Sequence, residues 1–261
     1  MHNNLKKSIM ALLCFLAVCS TAKAESVFSL DLKTDITLSA LAMGVFVSSL
    51  LIETQPSQVP PSLGRRDVNV FDRQLMVARQ NEAIKRASNA TMIGLSFLPV
   101  VSLLDNFNMA TITTYVVMYS QAMVLAYGTR MLFKNNVARF RPYSHDGREL
   151  SADHRHDSFP SGHTCVAFLA ATFFSTTFVL ENPDSRWRWP AVIGSHALAT
   201  SVGAMRMMGG MHFLTDVLAG AAMGSFYGWL VPFLHVRRNH NSVNSFPVKM
   251  TGNGLLVSFR L

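Results

Sequence analysis

Three clusters of polar residues, each at the end of a long apolar run, carry the side chains that could do chemistry. They comprise Lys134 with Arg141, the turn Pro160-Ser161-Gly162-His163, and Arg206 with His212 and Asp216. Because unpaired cations beside apolar segments are costly, we expect the Lys and the two Arg side chains to share one anion. The planar fork of Arg fits a phosphate and Lys adds a point charge, so the clusters predict a phosphate-binding site.

The second cluster opens directly into an apolar run that we interpret as a helix. Backbone N–H groups at the N-terminus of a helix bind anions, and Gly162 lets an anion approach the backbone closely. Ser161 adds a hydroxyl donor. We therefore expect this turn to form a cradle for the phosphate.

The third cluster places His212 and Asp216 four residues apart, on one face of a helix. A carboxylate on one imidazole nitrogen fixes the tautomer and leaves the other nitrogen as nucleophile or base. His163 is then available as the acid that protonates a leaving oxygen. Two histidines and three cations around one anion describe phosphoryl transfer through a phosphohistidine, without a metal.

In this order, the clusters resemble the three motifs of the type-2 phosphatidic acid phosphatase superfamily. The family pattern is Lys-x6-Arg-Pro, then Pro-Ser-Gly-His, then Ser-Arg-x5-His-x3-Asp, and the chain matches every catalytic position. It departs at Met205, where the family usually has Ser. Because that Ser supports the site and does no chemistry, we still expect activity.

The resemblance implies a role for each residue. His212 resembles the nucleophile, Asp216 its orienting partner, and His163 the general acid for the leaving group. The phosphate-binding set implied by the resemblance is Lys134, Arg141, Ser161, Gly162 and Arg206. The resemblance implies neither a cofactor nor a metal.

Six runs free of Asp, Glu, Lys and Arg must position these clusters, and each is about long enough to cross a bilayer. The chain is 49% hydrophobic and only 15% charged, which excludes a disordered or coiled-coil protein. We therefore predict an all-α, six-helix bundle that spans a membrane, with a soluble bundle as the alternative. The runs are 36–52, 87–104, 106–129, 164–180, 189–205 and 217–236.

The rest of the chain divides around this bundle. Residues 1–24 have the charged start, short apolar stretch and Ala-x-Ala ending of a secretory signal peptide, with an uncleaved signal anchor as the alternative. We assign residues 25–236 to the phosphatase domain and residues 237–261 to a tail. The segment 68–86 is interpreted as an amphipathic surface helix.

Charge and the remaining polar residues add weaker expectations. The net charge of +8 comes without basic runs, so nucleic-acid binding is not expected. Arg139 and Arg148 are expected to help attract an anionic substrate. His154 and His156 are interpreted as residues of a solvated loop, with metal or headgroup binding as the alternative.

The leading functional hypothesis is a phosphatase that removes a terminal phosphate from a membrane lipid. The candidate substrates are phosphatidic acid, phosphatidylglycerol phosphate, undecaprenyl diphosphate and lipid A. The alternatives are a secreted soluble acid phosphatase, a vanadate-dependent haloperoxidase and a catalytically inactive lipid-binding protein. We expect a bacterial inner-membrane protein whose site faces the periplasm.

Overall fold

Six long helices form the bundle in the computed structural model. The described residues are 26–52, 62–104, 107–137, 139–147 and 156–237, with the backbone of 248–251 and 254–257, so the predicted signal peptide lies outside them. In chain order the helices are α1 Leu32–Leu51, α2 Val70–Gln74, α3 Glu82–Ser96, α4 Leu98–Val101, α5 Met109–Val137, α6 Gly162–Glu181, α7 Arg188–Met208 and α8 Leu214–Leu234.

Two short 3₁₀ turns and a hairpin complete the described structure. The turns are Arg65–Asp67 and Pro142–Ser144, and the strands are β1 Val248–Thr251 and β2 Gly254–Val257. The strands pair antiparallel with Val248 opposite Val257. The hairpin therefore lies within the predicted tail, outside the helical bundle.

Four helices, α1, α2, α3 and α5, begin where a short polar side chain binds free N–H groups of the first turn. Asn108, for example, accepts a hydrogen bond of 2.9 Å from the backbone N of Thr111 at the start of α5. Such caps stabilise a helix start by about 1 kcal/mol each. The capping residues are Asp31 for α1, Asn69 for α2 and Asn81 for α3.

The all-α fold and its six helices are confirmed, but two predicted boundaries are wrong. The second apolar run is not one helix, because α3 ends in a turn at Phe97 just before Pro99 and α4 then adds a single turn. The segment 68–86 is also not one helix. Val70–Gln74 forms a short helix there, the chain is irregular from 75 to 81, and residues 82–86 are already the first part of α3.

Helices α6 and α8 pack with their backbones in close contact. Gly220, Gly224 and Gly228 line one face of α8, and a Cβ atom at any of them would collide with a carbonyl oxygen of the Ser161–Leu169 stretch. Small residues at every fourth position let two helices approach in this way. The close packing fixes the N-terminus of α6 against the first turn of α8.

The core lies between α5, α6 and α8, and α6 runs through its centre. Phe173 and Leu169 of α6 are fully buried against Met118 of α5 and Val231 of α8. Phe173 also meets Tyr119 edge to face, with 5.0 Å between ring centroids. These contacts hold α6 as the rigid element from which the site is built.

The long helices alternate in direction, so one end of the bundle collects the three clusters. Parallel packing of α1 and α5 brings Asn135 to the end of α1, where its side chain donates to the carbonyl oxygens of Ser49 and Ile52 at 2.8 Å. At the opposite end, Phe28 pairs with Val236 just after α8. Phe28 and the clusters therefore lie at opposite ends of α8, which is about 30 Å long for its 21 residues.

Four of the helices, α1, α5, α6 and α8, are long and apolar enough to cross a membrane. Among the described residues, four of the six runs meet the expectation that they span the membrane. Helix α3 has only 15 residues, and α7 has 21 residues but is not apolar enough. Large apolar side chains also face outward, among them Ile36, Val116, Ile193 and Leu218. These features indicate a membrane protein.

Candidate active site

All eight residues of the predicted site lie at one end of the bundle. Helices α5 and α7 end there, and α6 and α8 begin there, so two C-terminal and two N-terminal turns meet. The described residues of the set are Lys134, Arg141, Ser161, Gly162, His163, Arg206, His212 and Asp216. The backbone N–H of Ser161 donates to the carbonyl oxygen of Asp216 at 3.0 Å, which ties the second cluster to the third.

A tight turn between α7 and α8 places His212. Gly210 has a φ of +70°, which favours glycine, and the N–H of Met211 returns to the carbonyl of Arg206 at 3.0 Å. This turn brings Arg206, at the end of α7, and His212, just before α8, into one small volume.

The imidazole of His212 is held by a backbone carbonyl. Its Nδ1 lies 2.8 Å from the carbonyl oxygen of Ser158, whereas the nearest oxygen of Asp216 is 3.9 Å away. Ser158 in turn donates its hydroxyl to Asp216 at 2.5 Å. Asp216, the expected orienting partner, therefore reaches His212 through Ser158 in this arrangement.

The electrostatic surroundings keep His212 neutral. Burial, followed by the positive charges of Arg141 and Arg206, holds the pKa of His212 well below its usual range. A neutral imidazole whose Nδ1 donates to a carbonyl has its lone pair on Nε2. Nε2 is then the atom of His212 that can attack an electrophile.

Asp216 is fully buried and saturated with donors. One oxygen accepts from Ser158 and from the backbone N of Phe213 at 2.9 Å, and the other accepts from Arg139 at 2.7 Å. Arg139 also stacks over the ring of Phe213, 4.0 Å from its centroid. Asp216 is thus a fixed anchor for the turn that carries His212.

Arg139 also binds a second carboxylate, which sequence reasoning missed. Its Nη2 lies 2.6 Å from Asp72, a buried residue of α2. Asp72 accepts further hydrogen bonds from the backbone N and the hydroxyl of Thr215, at 2.9 and 2.7 Å. Two carboxylates therefore bind the Arg139 side chain, which we had expected to attract substrate.

Two of the expected phosphate-binding cations share a carboxylate. Arg141 donates through Nε to Asp157 at 2.8 Å, and Lys134 approaches the other oxygen of Asp157 at 3.6 Å. Asp157 and Ser158 stand three and two residues before the Pro-Ser-Gly-His cluster, so their position close to a motif was the signal that could have found them. Asp72, in contrast, carries no such signal.

Arg206 is buried and only partly satisfied. Its Nη1 makes long hydrogen bonds of 3.3 Å to Ser88 and Asn89 on α3, while its Nε is buried without a partner in the described protein. A buried guanidinium with a free donor is costly unless an anion completes its hydrogen bonds. Arg206 is therefore suited to a phosphate oxygen.

The cradle at the start of α6 is also formed. Ser161 is fully buried, and its hydroxyl lies 2.9 Å from that of Thr164. The first N–H groups of a helix have no partner inside it, which leaves those of Gly162 and His163 for an anion. The cradle, both imidazoles and the cations can therefore surround one phosphate.

No group of three His, Cys, Asp or Glu side chains that could hold a metal ion occurs in the described part of the chain. His156 lies edge-on to Phe140, with ring centroids 6.0 Å apart. His154 and Arg148 lie outside the described residues. The interpretation of both histidines as residues of a solvated loop stays a prediction, and so does the alternative that they bind a metal or a headgroup.

Comparison with known proteins bears on this arrangement. The sequence pattern of the PAP2 superfamily matches residues 115–240, which include all three clusters. This segment, just under half of the chain, carries the PAP2 superfamily pattern. The resemblance to type-2 phosphatidic acid phosphatases is thus confirmed.

Two individual proteins are similar to parts of this chain. A lipid A 1-phosphatase from Porphyromonas gingivalis is 38% identical over 74 residues, which is 28% of this chain and 15% of that protein. A crystal structure of a transmembrane PAP2-type phosphatidylglycerolphosphate phosphatase from Bacillus subtilis matches with 18% identity and a TM-score of 0.46, over 78% of this chain and 98% of that one.

Proposed function

We propose that the protein is a metal-independent phosphatase that removes a terminal phosphate from a membrane lipid through a phosphohistidine. The observation that carries the proposal is the state of His212, which is neutral, bound through Nδ1 to Ser158, and surrounded by Arg141 and Arg206. A nucleophile needs a free lone pair, and a phosphate needs cations on its oxygens. Both requirements meet at this residue.

The first half of the reaction transfers the phosphoryl group to the enzyme. Nε2 of His212 attacks phosphorus, and the bond between phosphorus and the leaving oxygen breaks. His163 gives its proton to that oxygen as the lipid product leaves. Lys134, Arg141 and Arg206 hold the equatorial oxygens, where negative charge is stabilised in the transition state.

The second half releases phosphate. His163, now neutral, takes a proton from water as the water oxygen attacks the phosphohistidine. The bond between phosphorus and Nε2 breaks, inorganic phosphate leaves, and both imidazoles return to their starting states. Ser158 keeps Nδ1 of His212 in place throughout, while Asp216 and Arg139 hold the turn.

The proposed substrate class is lipid. The site lies at the end of helices whose outer faces are apolar, so a lipid headgroup in the same membrane would reach it without leaving the bilayer. Exposed Val70, Phe71 and Leu75 of the α2 region lie beside Arg65 and Arg66 near this end, as expected at a membrane surface. The name of the P. gingivalis relative, a lipid A 1-phosphatase, points to the same class.

We propose the domain organisation and the location together. Residues 1–24 are a signal segment, 25–236 the phosphatase and 237–261 a tail, in a bacterial inner membrane. By resemblance to family members that act on exported lipids, the site faces the periplasm. Residues 26–30 lie at the end of the bundle opposite the site, so a periplasmic site in a spanning bundle keeps them in the cytoplasm. Export of these residues by the signal segment would instead place the site in the cytoplasm.

Reporter fusions test the location. Alkaline phosphatase fused after Gly147 is active if the site end is periplasmic, and a fusion after Arg237 is then inactive. The reverse pattern, with activity only after Arg237, would overturn the periplasmic site and fit export of a cleaved N-terminus.

Phosphate release by detergent-purified protein tests the function. The panel contains phosphatidic acid, phosphatidylglycerol phosphate, undecaprenyl diphosphate, lipid A and a soluble aryl phosphate. His212→Gln should abolish turnover of a lipid, whereas the matched His196→Gln should not, because His196 binds Thr172 and Val192 outside the site. Turnover of the aryl phosphate alone would favour a soluble acid phosphatase, and lipid binding without turnover an inactive binding protein.

A further inference from the structure

One cation at the site has no task in the reaction described above. Arg130 lies on α5, four residues before Lys134, and so on the same face of the helix. Its guanidinium packs against Gly162: a Cβ atom at that position would lie 2.6 Å from Nε and 2.8 Å from Cζ. Arg130 therefore sits directly beside the phosphate cradle, and only glycine at 162 leaves room for it.

Arg130 has no counter-charge among the described residues. Its Nε is buried without a hydrogen-bond partner, and its Nη1 makes only a 3.7 Å contact with the sulfur of Met131. Arg139, in contrast, binds two carboxylates, and Arg141 binds Asp157. A partly buried guanidinium without an acceptor is costly, which points to an anionic ligand for Arg130.

Arg130 lies beside the proposed acid of the reaction. Its guanidinium packs against Gly162, which directly precedes His163 in the first turn of α6. Arg130 is therefore placed on the side of His163, where the leaving group departs.

The charge of the site in its reactive state exceeds what one phosphate neutralises. The reaction above starts from a protonated His163, and five Lys or Arg side chains join it, so six positive charges minus three carboxylates leave three. The cations besides His163 are Arg130, Lys134, Arg139, Arg141 and Arg206, and the carboxylates are Asp72, Asp157 and Asp216. A terminal phosphate carries about two negative charges at neutral pH, so about one positive charge remains for a second anionic group.

We propose that Arg130 binds the inner phosphate of a lipid diphosphate and that such diphosphates are the substrate class. This inference rests on the proposed phosphatase function. His212 attacks the terminal phosphorus, the bond to the bridging oxygen breaks, and the departing lipid monophosphate takes the proton of His163. Arg130 stabilises the negative charge on that leaving phosphate, as preorganised hydrogen-bond donors do in other active sites where negative charge develops.

Paired substrates with the same lipid chain test the proposal. Arg130→Gln should lower kcat/KM about a hundredfold on a prenyl diphosphate and less than about threefold on the corresponding monophosphate. Arg130→Lys, which keeps the charge but loses the fork, should fall between wild type and Arg130→Gln. Arg186→Gln, the same change at an exposed residue in the turn between α6 and α7, should alter neither value.

Three results would overturn the role of Arg130: equal losses on both substrates, a wild-type preference for the monophosphate, or a selective loss only on phosphatidylglycerol phosphate. That lipid also carries a second phosphate, but farther from the terminal one. Failure of the wild type on every lipid would instead refute the phosphatase itself, so the two failures are distinguishable.

A binding measurement on the wild type does not depend on the folding of a variant. Inorganic pyrophosphate should bind the purified enzyme at least about tenfold more tightly than inorganic phosphate, because it reaches Arg130 as well as the cradle. Isothermal titration in detergent gives both constants. Equal affinities, or tighter binding of phosphate, would contradict the proposal.

Discussion

The replacement Asp72→Asn tests whether a residue far from the motifs holds the active site in place. Asp72 accepts four hydrogen bonds, one from Arg139, one from Asn69 and two from Thr215, at 2.6 to 2.9 Å. All four groups that contact the carboxylate are donors. The amide nitrogen of Asn would face donors, so at least one buried donor would lose its acceptor.

The cost follows from the burial of the pair. Asp72 is 1% exposed, and removing one partner of a buried ion pair typically costs about 3–5 kcal/mol. Burial opposes the charge of Asp72, but the hydrogen bonds from Arg139, Thr215 and Asn69 together hold its pKa below the usual 3.8. A lowered pKa stabilises the fold above pH 3.8. The contribution is lost as the pH falls through the lower, folded-state pKa.

The assay is unfolding in detergent at pH 7, with activity measured on the same samples. Asp72→Asn should lose about 3–5 kcal/mol of stability, and kcat/KM should fall while KM changes little, since substrate does not touch Asp72. The matched variant Asp184→Asn changes an exposed surface turn and should stay within about 0.5 kcal/mol of wild type. Equal stability of the two variants would refute the reasoning.

Three further predictions follow from single contacts. Ser158→Ala removes the hydroxyl bound to Asp216 but keeps the carbonyl that holds His212, so activity should fall about ten- to a hundredfold and not vanish; complete loss would contradict this. Because the pKa of His212 is lowered, the acid limb of kcat/KM should lie below pH 6.5, and a limb at or above that value would disagree. Gly224→Ala should destabilise the fold by about 1–3 kcal/mol through its collision with α6, whereas Gly44→Ala, in open space on α1, should stabilise it slightly; unfolding curves showing the same sign for both would be inconsistent with this packing.

The helices could be predicted because the apolar composition of each one is visible in its own segment of the sequence. A run of about twenty uncharged residues needs only its own side chains to be recognised, and five of the six runs fold as single helices. The second run is the exception, because it contains Pro99, which has no N–H to donate to the preceding turn. The chain accordingly breaks at Phe97, between α3 and α4.

The predicted site residues come together because each cluster stands at the end of an apolar run. Helices that alternate in direction bring these ends to one side of the bundle. The supporting residues were missed for the opposite reason. Asp72 and Arg139 are 67 positions apart, and their contact depends on where α2 docks on α8. Arg130 was missed because its importance comes from the absence of a nearby carboxylate among the described residues, which only the folded arrangement shows.

Trapping the phosphoryl-enzyme tests the central claim most directly. Wild-type protein is mixed with a lipid substrate labelled in its terminal phosphate, quenched in alkali, which preserves phosphohistidine, and mapped by mass spectrometry. The label should be found on His212, should disappear in His212→Gln and should persist in His196→Gln. Turnover of the lipid without label on His212, or label that survives His212→Gln, would contradict the account.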